Sequence, residues 1–177
     1  MGLTLDYGAE YRRLHENGKH FRGRSIKSGL PDIIRLVKQT APRRMLDYGC
    51  GKGLQYSEDM VHQQWGGCLP RLYDVGVPAF SKKPAGTFDA VICTDVMEHI
   101  DEQDVPAVLS DIFSYLPARD DDGESFAFFW ISCRPAKNKR LPDGRNVHLC
   151  VKPAAWWNEK LDRFRRAGLI IEARYEG

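Results

Sequence analysis

LDYGCGKG, residues 46–53, places an acid and three alternating glycines directly after an apolar run. Glycine loses more backbone freedom on folding than any other residue, so this density marks a turn that side chains would obstruct. RMLDY (44–48) before it reads as a short strand, and LQYSEDMVHQQW (54–65) after it as a helix ended by Gly66 and Gly67. A strand, a glycine-rich turn and a helix leave room for a ligand beyond the strand's carboxyl end. The helix N-terminus there favours an anionic group.

Outward from this point the chain alternates. Leu30, Ile33, Ile34 and Val37 form a helical stripe around 31–40, upstream of the turn. Downstream, RLYDV (71–75) is a second strand. FDAVICT (88–94) is a third, apolar enough to be buried on both faces. Asp104 reads as the cap of a helix with Pro106 in its first turn and a stripe of Val105, Val108, Leu109, Ile112, Phe113 and Leu116. SFAFFWIS (125–132) is the fourth strand. A helix follows from about 153 to 167, with Gly168 as its stop, and LIIEARY (169–175) is the last strand. Such alternation argues for an α/β fold: a mostly parallel sheet with helices on both faces. The third strand should lie beside the first, the fourth beside the third, and the last beside the fourth and parallel to it. Residues 1–43 form an N-terminal arm and helix over the site, and 44–177 the core of what is overall a single domain.

Composition excludes several classes. The 177 residues carry a formal net charge of +2. The five cysteines contain no CxxC pair, which argues against a disulfide framework and a zinc cluster, and no metal is expected. No apolar run approaches the roughly 20 residues of a membrane span. MGLTLDYGAEYRR lacks the order of a signal peptide, and Asp6 stands where a myristoylation signal needs Ser or Thr. The chain therefore reads as cytoplasmic, with no membrane contact. Its charge is uneven. Residues 1–44 hold ten Lys or Arg against four Asp or Glu, and RPAKNKRLPDGR (134–145) holds five against one. Both segments are either solvated surface or converge on one anionic ligand.

The glycine pattern narrows the ligand. A dinucleotide fingerprint would need glycine at Leu54, and a P-loop would need Gly-Lys-Ser/Thr. What remains is D-x-G-x-G-x-G, Asp47 through Gly53. It resembles the first motif of class I S-adenosylmethionine-dependent methyltransferases. Asp74 at the end of the second strand, FDAVICTDVMEHI (88–100) and HLCVKPAAWWNEKLDRFRRAGLIIE (148–172) are similar to later motifs of that superfamily in the same order. YDVGVPAFSKKP and LPDGRNVHLCVKPAAWW further resemble small methyltransferase-like proteins of phages and bacterial glycan loci.

The resemblance implies a Rossmann-like fold, S-adenosyl-L-methionine as cofactor, and methyl transfer. It places Asp47 by the cofactor's ammonium and the amides of Gly49, Cys50, Gly51 and Gly53 by its carboxylate. Asp74 falls by the ribose; the short link after it removes the family's usual adenine contact, and Val75, Val77 or Phe80 could cover the adenine instead. Thr94 and Asp95 fall by the sulfonium and methyl, although Asp95 could instead cap the next helix. Cys50 and Cys93 also read as packing residues. Two departures imply a reduced sheet of about five strands. The link from Asp74 to Phe88 is too short for the usual helix and strand, and no residues follow LIIEARYEG to form the family's seventh strand. Either the fold is pared down or the chain was cut.

Among the histidines, His62 reads as surface, and His15 and His20 lie in the arm. His99 and His148 are the catalytic candidates, His148 as a base. Arg134, Arg140 and Arg145 are the candidates for holding the acceptor, with Arg12, Arg13, Lys19, Arg22 and Arg24 of the arm facing them. No Asp/Asn-Pro-Pro-aromatic tetrad and no Pro-Cys follow VICT, and no target-recognition domain fits in this length. The acceptor expected is a small or medium anionic molecule: a sugar phosphate, nucleotide, glycan or lipid-linked intermediate. A nucleic-acid methyltransferase and a non-enzymatic partner protein that keeps the fold are the alternatives.

Overall fold

Ala90–Thr94 is buried at every position, and this strand organises the sheet. The computed structural model describes residues 6–16, 22–117 and 123–177. Lys19 and His20 of the arm lie outside them. The strands are β1 (Met45–Tyr48), β2 (Arg71–Tyr73), β3 (Ala90–Thr94), β4 (Ser125–Ser132) and β5 (Leu169–Glu176). The helices are α1 (Tyr7–Glu16), α2 (Leu30–Thr40), α3 (Leu54–Ser57), α4 (Val105–Ser114) and α5 (Ala154–Asp162). The described residues form one five-stranded sheet in the order β2-β1-β3-β4-β5, parallel throughout. This is the order and direction expected from the sequence.

The two faces separate by the strand period of two. Ala90, Ile92, Phe126 and Phe128 pack with Ile33, Leu36 and Val37 of α2. Val91, Cys93, Ala127, Phe129 and Ile131 pack with Val105, Leu109 and Ile112 of α4 and with Trp157 and Leu161 of α5. Burial on both faces explains the near-continuous apolar runs. β5 is an edge strand, and charged pairs line it. Arg174 binds Asp32 through two nitrogens at 2.9 and 2.8 Å, and Arg35 pairs with Glu172. Charge on an edge discourages pairing with another chain. Among the described residues no helix is long and apolar enough to cross a membrane.

Three local expectations are corrected. The helix after the glycine turn lasts four residues; Met60 adopts φ +50° and a 3₁₀ turn over Val61–Trp65 replaces the rest. Asp104 makes no capping bond; its Oδ2 accepts the Tyr7 hydroxyl at 2.7 Å instead. The helix placed at 153–167 is α5 alone, ending at Asp162. Phe164 leaves it to stack on Phe113 at 4.2 Å.

Candidate active site

The chain runs from β1 outward to β2, then returns to the other side of β1 to form β3. Carboxyl ends of strands at such a reversal leave a crevice. There the structure holds a cavity of about 390 Å³. Gly49, Gly51 and Tyr48 close it from β1, and Tyr73, Asp74 and Val75 from β2. Thr94, Asp95, Val96 and His99 close it from β3, Tyr7 and Tyr11 from α1, and Arg22–Ser25 and Lys139 from two loops.

Gly49 has φ +84°, and a Cβ there would collide with Val96. This glycine is fixed by the approach of the next strand's end. The turn's amides are spent within the protein. Gly49 and Cys50 donate to the Tyr73 carbonyl at 2.8 and 3.1 Å, and Gly53 to the Cys50 carbonyl at 3.1 Å. Gly51 donates to Asp74 Oδ2 at 2.8 Å. The first amides of α3, on Leu54 and Gln55, donate to the carbonyls of Arg22 and Gly23. The amides of Gly49, Cys50, Gly51 and Gly53, expected at a carboxylate, thus have partners inside the protein. The chain's own segment 22–23 occupies the helix N-terminus. The cations on the wall are Arg22, Arg24 and Lys139. Arg24 also pairs with Glu58 and with Asp59, the latter at 2.6 Å.

Asp47, expected at the cofactor's ammonium directly or through a water, stands back from the cavity. It is 1% exposed and lies beneath the turn, off the cavity wall. Its Oδ2 accepts Gln55 Nε2 and the Tyr56 hydroxyl, each at 2.8 Å. It therefore ties β1 to α3, and burial pushes its carboxyl up to about 7. Cys50 and Gly53 are likewise off the wall. Burial raises the Cys50 and Cys93 thiols, which keeps both protonated as packing groups.

Asp74 lies on the cavity wall. Oδ2 accepts the Gly51 amide and Oδ1 the Gly76 amide, each at 2.8 Å, so the carboxylate is fixed on the wall. Of the three adenine candidates Val75 lines the cavity, whereas Val77 and Phe80 do not. Thr94 Oγ1 lies 2.9 Å from Ser25 Oγ. Asp95 adopts φ +61°, an uncommon state for a residue with a Cβ. The 3₁₀ turn after it, Met97–His99, has Val96 at its cap position, and Asp95 lines the cavity.

His99 and His148 meet at 4.9 Å between ring centroids and 86° between planes. His99 Nδ1 lies 2.9 Å from the Val147 carbonyl, and His148 Nδ1 lies 2.7 Å from the Arg134 carbonyl. A carbonyl only accepts, so both Nδ1 atoms donate. Burial lowers His99 to about 4, with the Asp95 carboxylate opposing that shift and His148 adding to it. The acceptor candidates on the basic loop are dispersed. Arg134 pairs with Glu176. Arg145 pairs with Asp143 at 2.7 Å and approaches Asp101 at 4.0 Å. Arg140 donates to the Lys139 carbonyl. None of the three lines the cavity; Lys139 does.

Sequence reasoning missed Tyr7 and Tyr11. The tyrosines stand four apart on α1, a signal for one buried face. Tyr11 donates to the His99 carbonyl at 3.0 Å, and Tyr7 both donates to Asp104 and accepts the Asp101 amide at 2.9 Å.

An all-parallel sheet in this order, with a glycine turn and an anchored acid at the reversal, defines a Rossmann-like α/β protein with a crevice at the carboxyl ends of its strands. A family model described as a methyltransferase domain matches residues 19–124, more than half of the chain. The chain belongs to that family, within the class I S-adenosylmethionine-dependent methyltransferase superfamily. No curated protein matches the sequence.

Proposed function

We propose that the protein binds S-adenosylmethionine in the cavity between β1 and β3 and transfers its methyl group to a small or medium anionic acceptor. The observation that carries this is the charge layout of one enclosed space. A carboxylate fixed by two amides, Asp74, stands at the β2 end, and Arg22, Arg24 and Lys139 are on the same wall. Asp74 accepts both ribose hydroxyls, and Val75 covers the adenine. Arg22 pairs with the cofactor's carboxylate, in place of the amides that segment 22–23 has filled. Thr94 and Asp95 face the sulfonium, where a carboxylate offsets its positive charge. His99, His148 and Lys139 form the acceptor end.

Transfer proceeds in line. A lone pair of the acceptor forms the new bond to the methyl carbon as the carbon–sulfur bond breaks, leaving that electron pair on sulfur. Alignment of two bound reactants supplies up to about 7–11 kcal/mol in favourable cases. Incubating the protein and labelled cofactor with a cell extract tests this reading. Label should appear in a low-mass compound retained by an anion exchanger. Label in polynucleotide would favour the nucleic-acid alternative, and no transferred label would favour a non-enzymatic role.

A further inference from the structure

We propose that Asp95, His99 and His148 bind a divalent transition-metal cation at the acceptor end of the cavity. One donor atom from each of the three lies within 4.8 Å of the other two. Atoms about 2.1 Å from a shared ion sit about 3.0–3.4 Å apart, so modest side-chain rotation closes the set. Asp95 and His99 already line the cavity.

Three features prepare the set for a cation. First, the carbonyls of Val147 and Arg134 take the Nδ1 protons of His99 and His148, which in the neutral rings puts the lone pair on Nε2. Histidine ligands are oriented in this manner by a partner on the other ring nitrogen. Second, Glu98 is fully buried beside Asp95. Its Oε1 accepts the Ser132 amide at 2.9 Å, and its side chain contacts that of Asp95. A cation bound to Asp95 would offset the repulsion between the two acids. Third, Asp95 is held at φ +61°, a conformation uncommon for a residue with a Cβ. The conformation sets the Asp95 side chain in the wall.

Two imidazoles and a carboxylate suit Mn²⁺, Fe²⁺, Co²⁺ or Zn²⁺ better than Ca²⁺ or Mg²⁺. His148 then acts as a ligand rather than as a base. Lys139 adds its charge at the same end. The site therefore selects an acceptor with two features, a hydroxyl for the ion and a second anionic group, such as phosphate, for Lys139. Metal coordination lowers the pKa of a bound hydroxyl. Its proton leaves to water, the oxygen lone pair bonds to the methyl carbon, and the carbon–sulfur pair stays on sulfur. This acceptor assignment rests on the methyl-transfer reading above; the ion site itself does not.

Mn²⁺ and Zn²⁺ titrations of the full chain without cofactor test the site by calorimetry. A proton NMR titration with Mn²⁺ runs beside them. One ion should bind per chain, and Asp95→Ala and His148→Ala should each weaken it about tenfold or more. Mn²⁺ should broaden the imidazole signals of His99 and His148 before those of His62, which is off the cavity wall. The NMR result needs no variant, so a variant that misfolds does not spoil the test. Failure of both ions to saturate below about 1 mM, equal binding by folded variants, or equal broadening at His62 would overturn the site. S-adenosylmethionine is titrated separately. Loss of metal binding alone removes this inference, and loss of cofactor binding alone removes the methyl-transfer reading.

Discussion

Gly23→Ala perturbs the contact that most distinguishes this site, the crossing of segment 22–25 over the glycine turn. Gly23 has φ +67°, and a Cβ there would sit 2.6 Å from the Gly53 amide nitrogen and closer still to the Cys50 carbonyl. Both obstacles are backbone and cannot rotate away. The left-handed conformation costs a residue with a Cβ about 1–2 kcal/mol. Moving the segment aside also gives up the bonds from Leu54 and Gln55 to Arg22 and Gly23, worth about 0.5–1.5 kcal/mol each. The sum is about 2–5 kcal/mol when the segment is pushed aside, and the cofactor then also loses the wall that holds Arg22. The assay is urea unfolding together with cofactor calorimetry, with Gly67→Ala as control. Gly67 has φ +84° but nothing within 4 Å of an added Cβ, so it reports the backbone term alone. Gly23→Ala should be the worse of the two in stability, in cofactor affinity, or in both. If it matches Gly67→Ala in both, the crossing has no energetic weight and the reasoning fails.

Two further outcomes follow from buried groups. The Asp47 carboxyl is raised to about 7 by burial, so between about pH 4 and 7 the folded chain holds a proton that the unfolded chain has released. Stability should therefore fall as pH rises through that window, by about 4 kcal/mol in all, and Asp47→Asn should flatten the slope in pH-resolved unfolding. An unchanged slope would place the proton elsewhere. Tyr7→Phe removes a donor from buried Asp104 and an acceptor from the Asp101 amide. It should cost about 1–3 kcal/mol in thermal unfolding and weaken cofactor binding by loosening α1. Parent-like values in both would detach α1 from the site.

The strands and their order were legible because β3 and β4 are buried on both faces and must read as apolar runs. The place of Asp74 on the cavity wall was legible because it stands at a strand end. The rest depended on contacts between distant residues. The turn's amides look available in sequence, yet the carbonyls that fill the start of α3 lie some thirty residues upstream, at Arg22 and Gly23. Asp47 belongs to the glycine motif, but its burial under Gln55 and Tyr56 decides what it touches. The basic loop reads as a single patch; in the fold, Glu176 takes Arg134, Asp143 takes Arg145, and Lys139 lines the cavity. His99 and His148 are far apart in sequence with no ligand spacing, and β4 and its following loop bring them into contact.

The central claim is that this cavity holds S-adenosylmethionine against Asp74. Calorimetry with S-adenosylmethionine and its demethylated product on the parent chain, Asp74→Ala and Gly51→Val tests it most directly. The account predicts one site per chain for both ligands. Asp74→Ala should weaken both at least about tenfold, since a hydrogen bond to a charged group is worth about 1.5–3 kcal/mol. Gly51→Val should abolish binding, because Gly51 has φ +57° and lines the cavity. No binding by the parent, or parent-like binding by both variants, would contradict it.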